Sequence, residues 1–319
     1  MKIVFSDAET LGDDIALDIF EQFGEVVVYP FTTKEQLKER CDGADVLVTN
    51  KSICNEETLG DAPTLKLIAV TATGYNTIDL DYVNKHQIAV CNVRGYSTES
   101  VTQHTFALLF YLLEKSAYYD EYVKSERYIA DVSFSHFANK FHELCGMTWG
   151  IAGLGDIGKR VARVAESFGC HVVYYSTSGK NHNTEYEQVS FEELLEKSDI
   201  ISIHAPLNEN TKNLFDRHSF DRMKETSILI NVGRGPIVNE RDLYDALVEH
   251  KIMAAGLDVL CEEPMSADNP LRAFKDSNRL LITPHIAWAT VEARHRLMDE
   301  IRQNIDAFLK GERRNRVDG

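Results

Sequence analysis

Short apolar runs alternate with amphipathic segments along most of the chain. Before residue 100 the segments between these runs are acidic and have the pattern of amphipathic helices. Five apolar runs there predict strands at Ile3–Phe5, Val26–Tyr29, Val46–Thr49, Leu67–Val70 and Ile88–Cys91. Because strands that alternate with helices form parallel sheets covered on both faces, this part of the chain is predicted to be a small parallel α/β sheet.

A long helical pattern follows, from about Ser100 to about Lys124, and Ser100 with Gln103 fits a capping box. The continuation of this stretch is unusually aromatic, with Tyr118, Tyr119, Tyr122, Tyr128, Phe134, Phe137 and Phe141. It is too apolar for a free linker. We expect a contact between subunits here, and the alternative is an ordinary core stripe.

The most informative run is a strand, a glycine turn and a helix between Thr148 and Gly169. The apolar strand Trp149–Ala152 leads into Gly153-Leu154-Gly155-Asp156-Ile157-Gly158, and an amphipathic helix follows. In this motif the first glycine permits the tight turn, the second lets a pyrophosphate approach the backbone, and the third lets the helix pack closely. The run therefore predicts a dinucleotide site at the helix N-terminus, and the alternative is a plain glycine turn.

The same alternation continues to the end of the chain. It predicts strands at His171–Tyr175, Ile200–His204, Ser227–Asn231, Ala254–Asp258 and Leu280–Thr283, and helices at Phe191–Lys197, Glu240–His250 and Thr290–Leu309. We predict an α/β protein of two doubly wound parallel-sheet domains. A Rossmann dinucleotide-binding domain, residues 100–289, is inserted in a flavodoxin-like substrate domain, residues 1–99 and 290–319.

Composition excludes several classes of partner. The chain has 319 residues and a formal charge of −16, which argues against binding to nucleic acid or to an anionic membrane. No apolar run reaches transmembrane length and the start does not resemble a signal peptide, so we expect a cytoplasmic protein.

Cysteine and histidine spacing gives no sign of a disulfide or a metal site. The 6 cysteines lack paired spacing and are expected to be reduced thiols. The 11 histidines lack a ligand pattern, so no metal is predicted.

Candidate chemistry lies in three loops at predicted strand ends of the second domain. These loops contain Arg234, Glu263 and His285, and parallel strands open their carboxyl ends on one crevice. A histidine can exchange a proton near neutral pH, a carboxylate can orient it, and an arginine can bind a substrate carboxylate in a fork. The alternative is a helix-cap arginine, a surface glutamate and a structural loop histidine.

Two loops of the first sheet are candidates for holding a small carboxylate. One contains Lys51, and the other contains Thr73 and Gly74, whose backbone N–H groups suit an anion. A turn glycine and a solvated lysine are the alternative.

Seven motifs, spread in order over most of the chain, resemble one enzyme family. GLGDIG, HAPLNENT, NVGRGPIV, GLDVLCEEP and TPHIAWAT resemble the D-isomer-specific 2-hydroxyacid dehydrogenases, and TNKSI and TATGYNTIDL resemble the glycerate dehydrogenase or hydroxypyruvate reductase branch. The resemblance implies that Arg234 binds the 2-oxo acid, that Glu263 pairs with His285, and that His285 donates the proton. Lys51, Thr73, Gly74 and Trp288 would contact the substrate.

The resemblance also implies a set of cofactor contacts. Asp258 would lie near the nicotinamide amide, and the other contacts would be Gly153, Gly155, Asp156, Ile157, Gly158, Ser176, Thr177, Ser178, His204, Ala205, Pro206, Val232, Gly233, Arg234 and His285. One position departs from the family. NAD-specific members usually end the second strand with a carboxylate, but here Ser176 follows Tyr175. We therefore expect NAD(H) or NADP(H), with a lean towards NADP or dual use.

The resemblance finally implies an activity. We expect a homodimer that reduces a small 2-oxo acid, hydroxypyruvate or glyoxylate, to the D-2-hydroxy acid, with closure of the two domains over the site. One alternative is a corepressor-like protein that senses NAD(H). Another is 3-phosphoglycerate dehydrogenase, which would want more cationic residues for the phosphate.

Overall fold

Five parallel strands form the sheet of the first structural unit in the computed structural model, which describes all 319 residues. This unit consists of residues 1–97 and 289–319. Its strands are β1 (Lys2–Phe5), β2 (Glu25–Val28), β3 (Val46–Thr49), β4 (Leu67–Val70) and β5 (Ala89–Cys91). The spatial order is β2-β1-β3-β4-β5, which is the flavodoxin-like order. The predicted fold class of this unit is confirmed.

The core of the first unit is the apolar sheet itself. Every residue of β3 and β4 is buried, as expected for central strands of a parallel sheet that is covered on both faces. Three short helices lie along the sequence between the strands: α1 (Leu37–Arg40), α2 (Glu56–Leu59) and α3 (Leu80–Lys85). Asn55 begins α2 with a capping box, because its side chain accepts from Thr58 N and the Thr58 side chain accepts from Asn55 N.

The second unit, residues 98–288, contains a sheet of seven parallel strands. The helices are α4 (Thr98–Leu113), α5 (Ser116–Lys124), α6 (Asp156–Ser167), α7 (Phe191–Lys197), α8 (Arg217–Arg222) and α9 (Glu240–Val248). The strands are β6 (Thr148–Ala152), β7 (His171–Tyr175), β8 (Glu187–Gln188), β9 (Ile200–Ile203), β10 (Ile228–Asn231), β11 (Ala254–Leu257) and β12 (Leu280–Ile282).

The strand order of this sheet reverses at its first strand. The order is β12-β11-β10-β9-β6-β7-β8. Strands β7 and β8 therefore lie on one side of β6, and strands β9 to β12 lie on the other side. This is the Rossmann arrangement, in which the switch point lies between β6 and β9. Ligands of such sheets bind beyond the carboxyl ends of the strands at this point.

Two apolar clusters cover the two faces of the second sheet. Ile228 and Ile230 belong to one cluster, whereas Ile201, Ile203 and Leu229 belong to the other. This alternation follows from the two-residue period of a strand. Both faces are buried, which explains why the strands appear in the sequence as nearly continuous apolar runs.

The prediction of one helix over residues 100–124 is wrong. Helix α4 begins at Thr98 and ends at Leu113, and Lys115 then adopts a left-handed conformation with φ of 55° before α5 begins. A continuous helix cannot pass through this conformation. Ser100 is also not a cap, because it lies within α4 and its hydroxyl donates to Ala287 O at 2.5 Å.

The C-terminal segment completes the first unit. The last helix, α10 (Val291–Leu309), begins after Thr290, whose hydroxyl accepts a hydrogen bond from Ala293 N. Beyond it, Val317 N donates to Val90 O at 2.9 Å, and Val90 N donates to Asp318 Oδ1 at 2.8 Å. The tail therefore pairs with the edge strand β5. No helix of the structure combines the length and apolarity needed to cross a bilayer.

Candidate active site

The three predicted reactive residues follow three adjacent strands of the second sheet. Arg234 comes after β10, Glu263 after β11 and His285 after β12. These strands are parallel neighbours in the sheet. Their following loops therefore lie at the same edge, as the sequence predicted.

His285 and Glu263 form a short hydrogen-bonded pair. His285 Nδ1 lies 2.6 Å from Glu263 Oε2, and the side chains are 31% and 27% exposed. Glu263 Oε1 accepts a second hydrogen bond from Leu260 N at 3.0 Å, which fixes the carboxylate. A carboxylate can only accept here, so we assign the proton to Nδ1. In the neutral ring Nε2 is then the nitrogen that can exchange a proton with a ligand.

The backbone of His285 adopts a conformation that is uncommon for histidine. Its φ is 56°, in the left-handed region. Its N–H lies 2.8 Å from Asp258 O and 3.0 Å from Thr283 O. These contacts hold a sharp turn that directs the ring towards Glu263, and residues in such conformations are enriched at functional sites.

Asp258 anchors the loop that carries His285. Its side chain is buried, and Oδ1 accepts from Thr283 Oγ1 at 2.6 Å and from Ile286 N at 2.9 Å. Oδ2 accepts from Ala287 N at 2.8 Å. His104 Nε2 of helix α4 lies 3.4 Å from Oδ1. The carboxylate is thus held by groups on both sides of His285.

Arg234 lies on the loop that contacts the Glu263 loop. Its guanidinium donates to Gly233 O at 2.8 Å, and Asn231 Nδ2 donates to Arg234 O at 3.0 Å. A Cβ on Gly235 would overlap the carbonyl of Leu260. Only glycine therefore lets these two loops pack this closely. A guanidinium presents N–H donors in a planar fork that matches a carboxylate.

The glycine turn after β6 has the shape that a dinucleotide needs. Gly153 has φ of 95°, and a Cβ there would lie 2.9 Å from the backbone of Ala205. A Cβ on Gly158 would overlap Gly153 O, so this glycine permits close packing of α6. At Gly155 a Cβ would meet no atom within 4 Å. The residues fit a pyrophosphate, because open space lies at the N-terminus of α6, whose 12 residues begin at Asp156 and Ile157.

The loop after β9 packs against this turn. Besides the contact of Ala205 with Gly153, a Cβ on Gly233 would lie 3.1 Å from Ala205 O. His204 Nε2 lies 2.9 Å from Ser202 Oγ, while its Nδ1 is buried without a partner. Burial lowers the pKa of His204 to about 3. Of the predicted cofactor residues, Ala205 thus lies against Gly153 and Gly233 lies against Ala205, while His204, Pro206 and Val232 are their neighbours in sequence.

The loop after β7 is tied to the glycine turn. Asn181 N donates to Ser176 Oγ at 3.3 Å, and Asn181 Nδ2 donates to Leu154 O at 2.6 Å. A cavity of about 700 Å³ lies beside this loop. It contains no carboxylate among its lining residues Tyr175, Ser176, Thr177, Gly179, Gln188, Val189, Ser190 and Asn210.

The first unit carries the other predicted substrate residues. Lys51 is exposed, and the backbone around it is organised by the buried carboxylate of Asp7, which accepts from Lys51 N at 2.7 Å and from Asn50 N at 3.0 Å. Thr73 Oγ1 donates to Val93 O at 2.8 Å, beside Gly74. In the second unit, Trp288 is half-buried against the apolar core.

Four residues that support the site were not predicted from the sequence. His104 contacts Thr283 and Asp258, Asn181 ties the Ser176 loop to the glycine turn, and Asp7 orders the Lys51 loop. Glu240 accepts from the backbone N–H of Cys261 at 2.7 Å, on the loop that also carries Glu263. Each of them contacts residues far away in sequence, so a local pattern does not reveal its role. The one visible signal was His104, a polar residue on an otherwise apolar helix.

Comparison with known proteins shows the family of the chain. The model of the D-isomer-specific 2-hydroxyacid dehydrogenase NAD-binding domain matches residues 106–287. The chain belongs to the D-isomer-specific 2-hydroxyacid dehydrogenase family. It is therefore a nicotinamide-dependent oxidoreductase that acts on CH–OH groups, as the motifs predicted.

Similar family members cover the whole chain. A hydroxypyruvate reductase from Blautia hydrogenotrophica is 35% identical, with 98% of each chain covered. A glycerate dehydrogenase from Methylorubrum extorquens is also 35% identical, with 99% of each chain covered. The solved structure of an acyclic imino acid reductase in complex with NADPH and D-Arg has a TM-score of 0.88 and 30% identity, and covers 99% of this chain and 100% of that one.

Proposed function

We propose that this family member reduces hydroxypyruvate or glyoxylate to the corresponding D-2-hydroxy acid, with His285 as the proton donor. The His285–Glu263 pair at 2.6 Å carries this proposal. Reduction of a ketone leaves an alkoxide that must be protonated, and a histidine held by a carboxylate is suited to supply that proton. The relatives named hydroxypyruvate reductase and glycerate dehydrogenase support the choice of substrate.

The chain's own groups divide the remaining work. Arg234 binds the substrate carboxylate in a fork and polarises the ketone oxygen, because the planar guanidinium presents several N–H donors that match a carboxylate. Glu263 holds the His285 ring in one tautomer and stabilises the imidazolium. When bound, the nicotinamide supplies the hydride for the carbonyl carbon. We further propose that Lys51, Thr73, Gly74 and Trp288 contact the substrate.

We also propose that the protein accepts NADPH, alone or together with NADH. Asp or Glu at the end of β7 would bind the ribose hydroxyls of NAD and repel a 2′-phosphate, and Ser176 stands there instead. The cavity beside it has no lining carboxylate. Ser176→Asp should lower kcat/KM for NADPH relative to NADH by about tenfold or more. A wild-type preference for NADH of about tenfold would contradict the proposal.

The aromatic segment supports a homodimer. Tyr122 stacks on His136 at 3.8 Å, but Ile129, Val132, Phe134 and Phe137 are 80% to 107% exposed. Four large apolar side chains in water on one short segment are typical of an interaction surface. Phe134→Asp together with Phe137→Asp should convert a dimer to a monomer in light scattering, and a wild-type monomer would contradict the proposal.

The location of the protein stays an expectation. All 6 cysteines are free thiols, and four of them are buried. Free thiols are in keeping with the reducing cytoplasm.

A substrate panel tests the proposed reaction. The assay follows loss of nicotinamide absorbance with hydroxypyruvate, glyoxylate, pyruvate and a bulky aromatic 2-oxo acid, each with NADH and with NADPH. Fast oxidation with hydroxypyruvate or glyoxylate is expected. If dinucleotide binds but neither hydroxypyruvate nor glyoxylate is reduced, the proposed substrate is wrong.

A further inference from the structure

One face of helix α4 contacts both ends of the loop that carries His285. Ser100 and His104 are four residues apart and so lie on the same side of the helix. Ser100 Oγ donates to Ala287 O at 2.5 Å, and His104 Nε2 lies 2.9 Å from Thr283 Oγ1. The helix therefore holds this loop before and after His285.

Thr283 links His104 to Asp258 through two hydrogen bonds, and the direction of each bond follows from which atoms carry a hydrogen. Both oxygens of Asp258 already accept backbone N–H groups, so the carboxylate is the acceptor at Thr283 Oγ1, 2.6 Å away. A threonine hydroxyl has one hydrogen, which this bond uses. His104 Nε2 must then carry the hydrogen that it shares with Thr283. The result is an ordered chain from His104 through Thr283 to Asp258.

The far end of this chain fixes the backbone around His285. Asp258 accepts from Ile286 N and Ala287 N through its side chain and from His285 N through its carbonyl. These bonds hold the left-handed turn at His285. Rotation of the Asp258 carboxylate would break its hydrogen bonds to Ile286 N and Ala287 N. The loop would then shift, and the His285 ring would lose its alignment with Glu263. A displacement of about 1 Å in a catalytic group can cost about 100-fold in rate.

We propose that His104 is a positioning residue for His285, acting through the hydroxyl of Thr283 and the carboxylate of Asp258. The proposal rests on the proposed function, in which His285 donates the proton. His104 is partly buried, with its side chain 19% exposed, and its Nε2 lies 3.4 Å from Asp258 Oδ1. It does not touch the reacting atoms itself.

Substitutions that keep or remove the Nε2 donor test the role of His104. His104→Leu should lower kcat about 10- to 100-fold with little change in the KM for the dinucleotide. His104→Gln keeps an N–H donor at nearly the same position and should recover at least about tenfold of that loss. His218→Leu is the matched control, because His218 is an exposed histidine on α8, and it should turn over like wild type.

A double-mutant cycle tests whether the chain acts as one unit. Thr283→Val removes the hydroxyl, and Thr283→Ser keeps it. If His104 acts through Thr283, the double variant His104→Leu with Thr283→Val should be no slower than the slower single variant. Multiplicative losses in the double variant would overturn the proposed chain.

A proton NMR signal separates this inference from the proposed function. The short His285–Glu263 hydrogen bond should give a far-downfield proton resonance, assigned by its absence in Glu263→Gln. His104→Leu should remove this resonance, and His104→Gln should restore it. Wild-type protein that reduces no 2-oxo acid but shows this pattern would refute the proposed function and support the positioning role. An unchanged resonance and a kcat within about twofold in His104→Leu would overturn the inference.

Discussion

His285 Nδ1 and Glu263 Oε2 lie 2.6 Å apart, although the two residues are on loops that follow different strands. Two neighbouring contacts maintain this pair. Leu260 N donates to the other oxygen of Glu263, and His285 N donates to Asp258 O. Backbone groups of the protein therefore hold both members of the pair in hydrogen-bonding contact, as proton transfer requires.

Removal of the Glu263 charge should slow reduction. In Glu263→Gln the size of the side chain is largely kept, but the carboxylate oxygen that lies 2.6 Å from His285 Nδ1 is lost. The ring is then held less firmly, so kcat/KM for hydroxypyruvate should fall about 10- to 100-fold while dinucleotide affinity stays at the wild-type value. The measurements are kcat/KM for hydroxypyruvate with a saturating cofactor and dinucleotide titration. A wild-type kcat/KM in Glu263→Gln would show that the pairing does not contribute to the reaction.

Two glycines of the turn should separate cofactor binding from folding. A methyl group at Gly155 meets no atom of the protein within 4 Å, so Gly155→Ala should keep the wild-type Tm but raise the KM for the dinucleotide about tenfold or more. Gly158→Ala should instead lower the Tm, because its methyl overlaps Gly153 O. Dinucleotide titration and thermal unfolding measure the two effects. Unchanged dinucleotide affinity in Gly155→Ala would argue against this turn as the pyrophosphate site.

Burial of His204 should make the protein less stable in acid. Its pKa in the fold is about 3, whereas an unfolded histidine titrates near about 6.5. Between these values only the unfolded state binds the proton, so the free energy of unfolding falls as the pH falls through this window, by up to about 1.4 kcal/mol per pH unit. His204→Gln removes this contribution.

Urea unfolding at pH 7 and at pH 5 measures the effect of His204. Wild type should lose up to about 2 kcal/mol more than His204→Gln between the two pH values. His218→Gln, at an exposed position, serves as the control and should behave like wild type. Equal losses in wild type and His204→Gln would mean that the imidazole is protonated within the fold.

Most strands could be predicted from the sequence, because parallel strands buried on both faces are short apolar runs. Strand β3 (Val46–Thr49) and strand β7 (His171–Tyr175) have the predicted bounds. Strand β8 was missed since its two residues, Glu187 and Gln188, are polar and exposed. No hydrophobic pattern marks such an edge strand.

The break between α4 and α5 depends on tertiary contacts that a local pattern does not contain. Lys115 Nζ donates to Asn278 O at 3.4 Å, and Tyr118 N donates to Asn278 Oδ1 at 3.1 Å. These bonds cap α5 from a loop more than 150 residues away in sequence. The same reason applies to His104, whose partners Thr283 and Asp258 are far along the chain.

The positions of Arg234, Glu263 and His285 were more predictable, since each follows a predicted strand and the ends of parallel strands meet at one edge of the sheet. Their roles came from the family motifs. The alignment of the pair could not be predicted, because it depends on the left-handed turn at His285 and on the buried carboxylate of Asp258.

A single-turnover experiment tests whether His285 donates the proton. Enzyme preloaded with reduced dinucleotide is mixed with hydroxypyruvate, and oxidation is followed in wild type and in His285→Gln, with cofactor binding measured by fluorescence. We expect both proteins to bind the dinucleotide equally and oxidation to be at least about 100-fold slower in the variant. Equal oxidation rates in the two proteins would contradict the assignment of His285 as the proton donor.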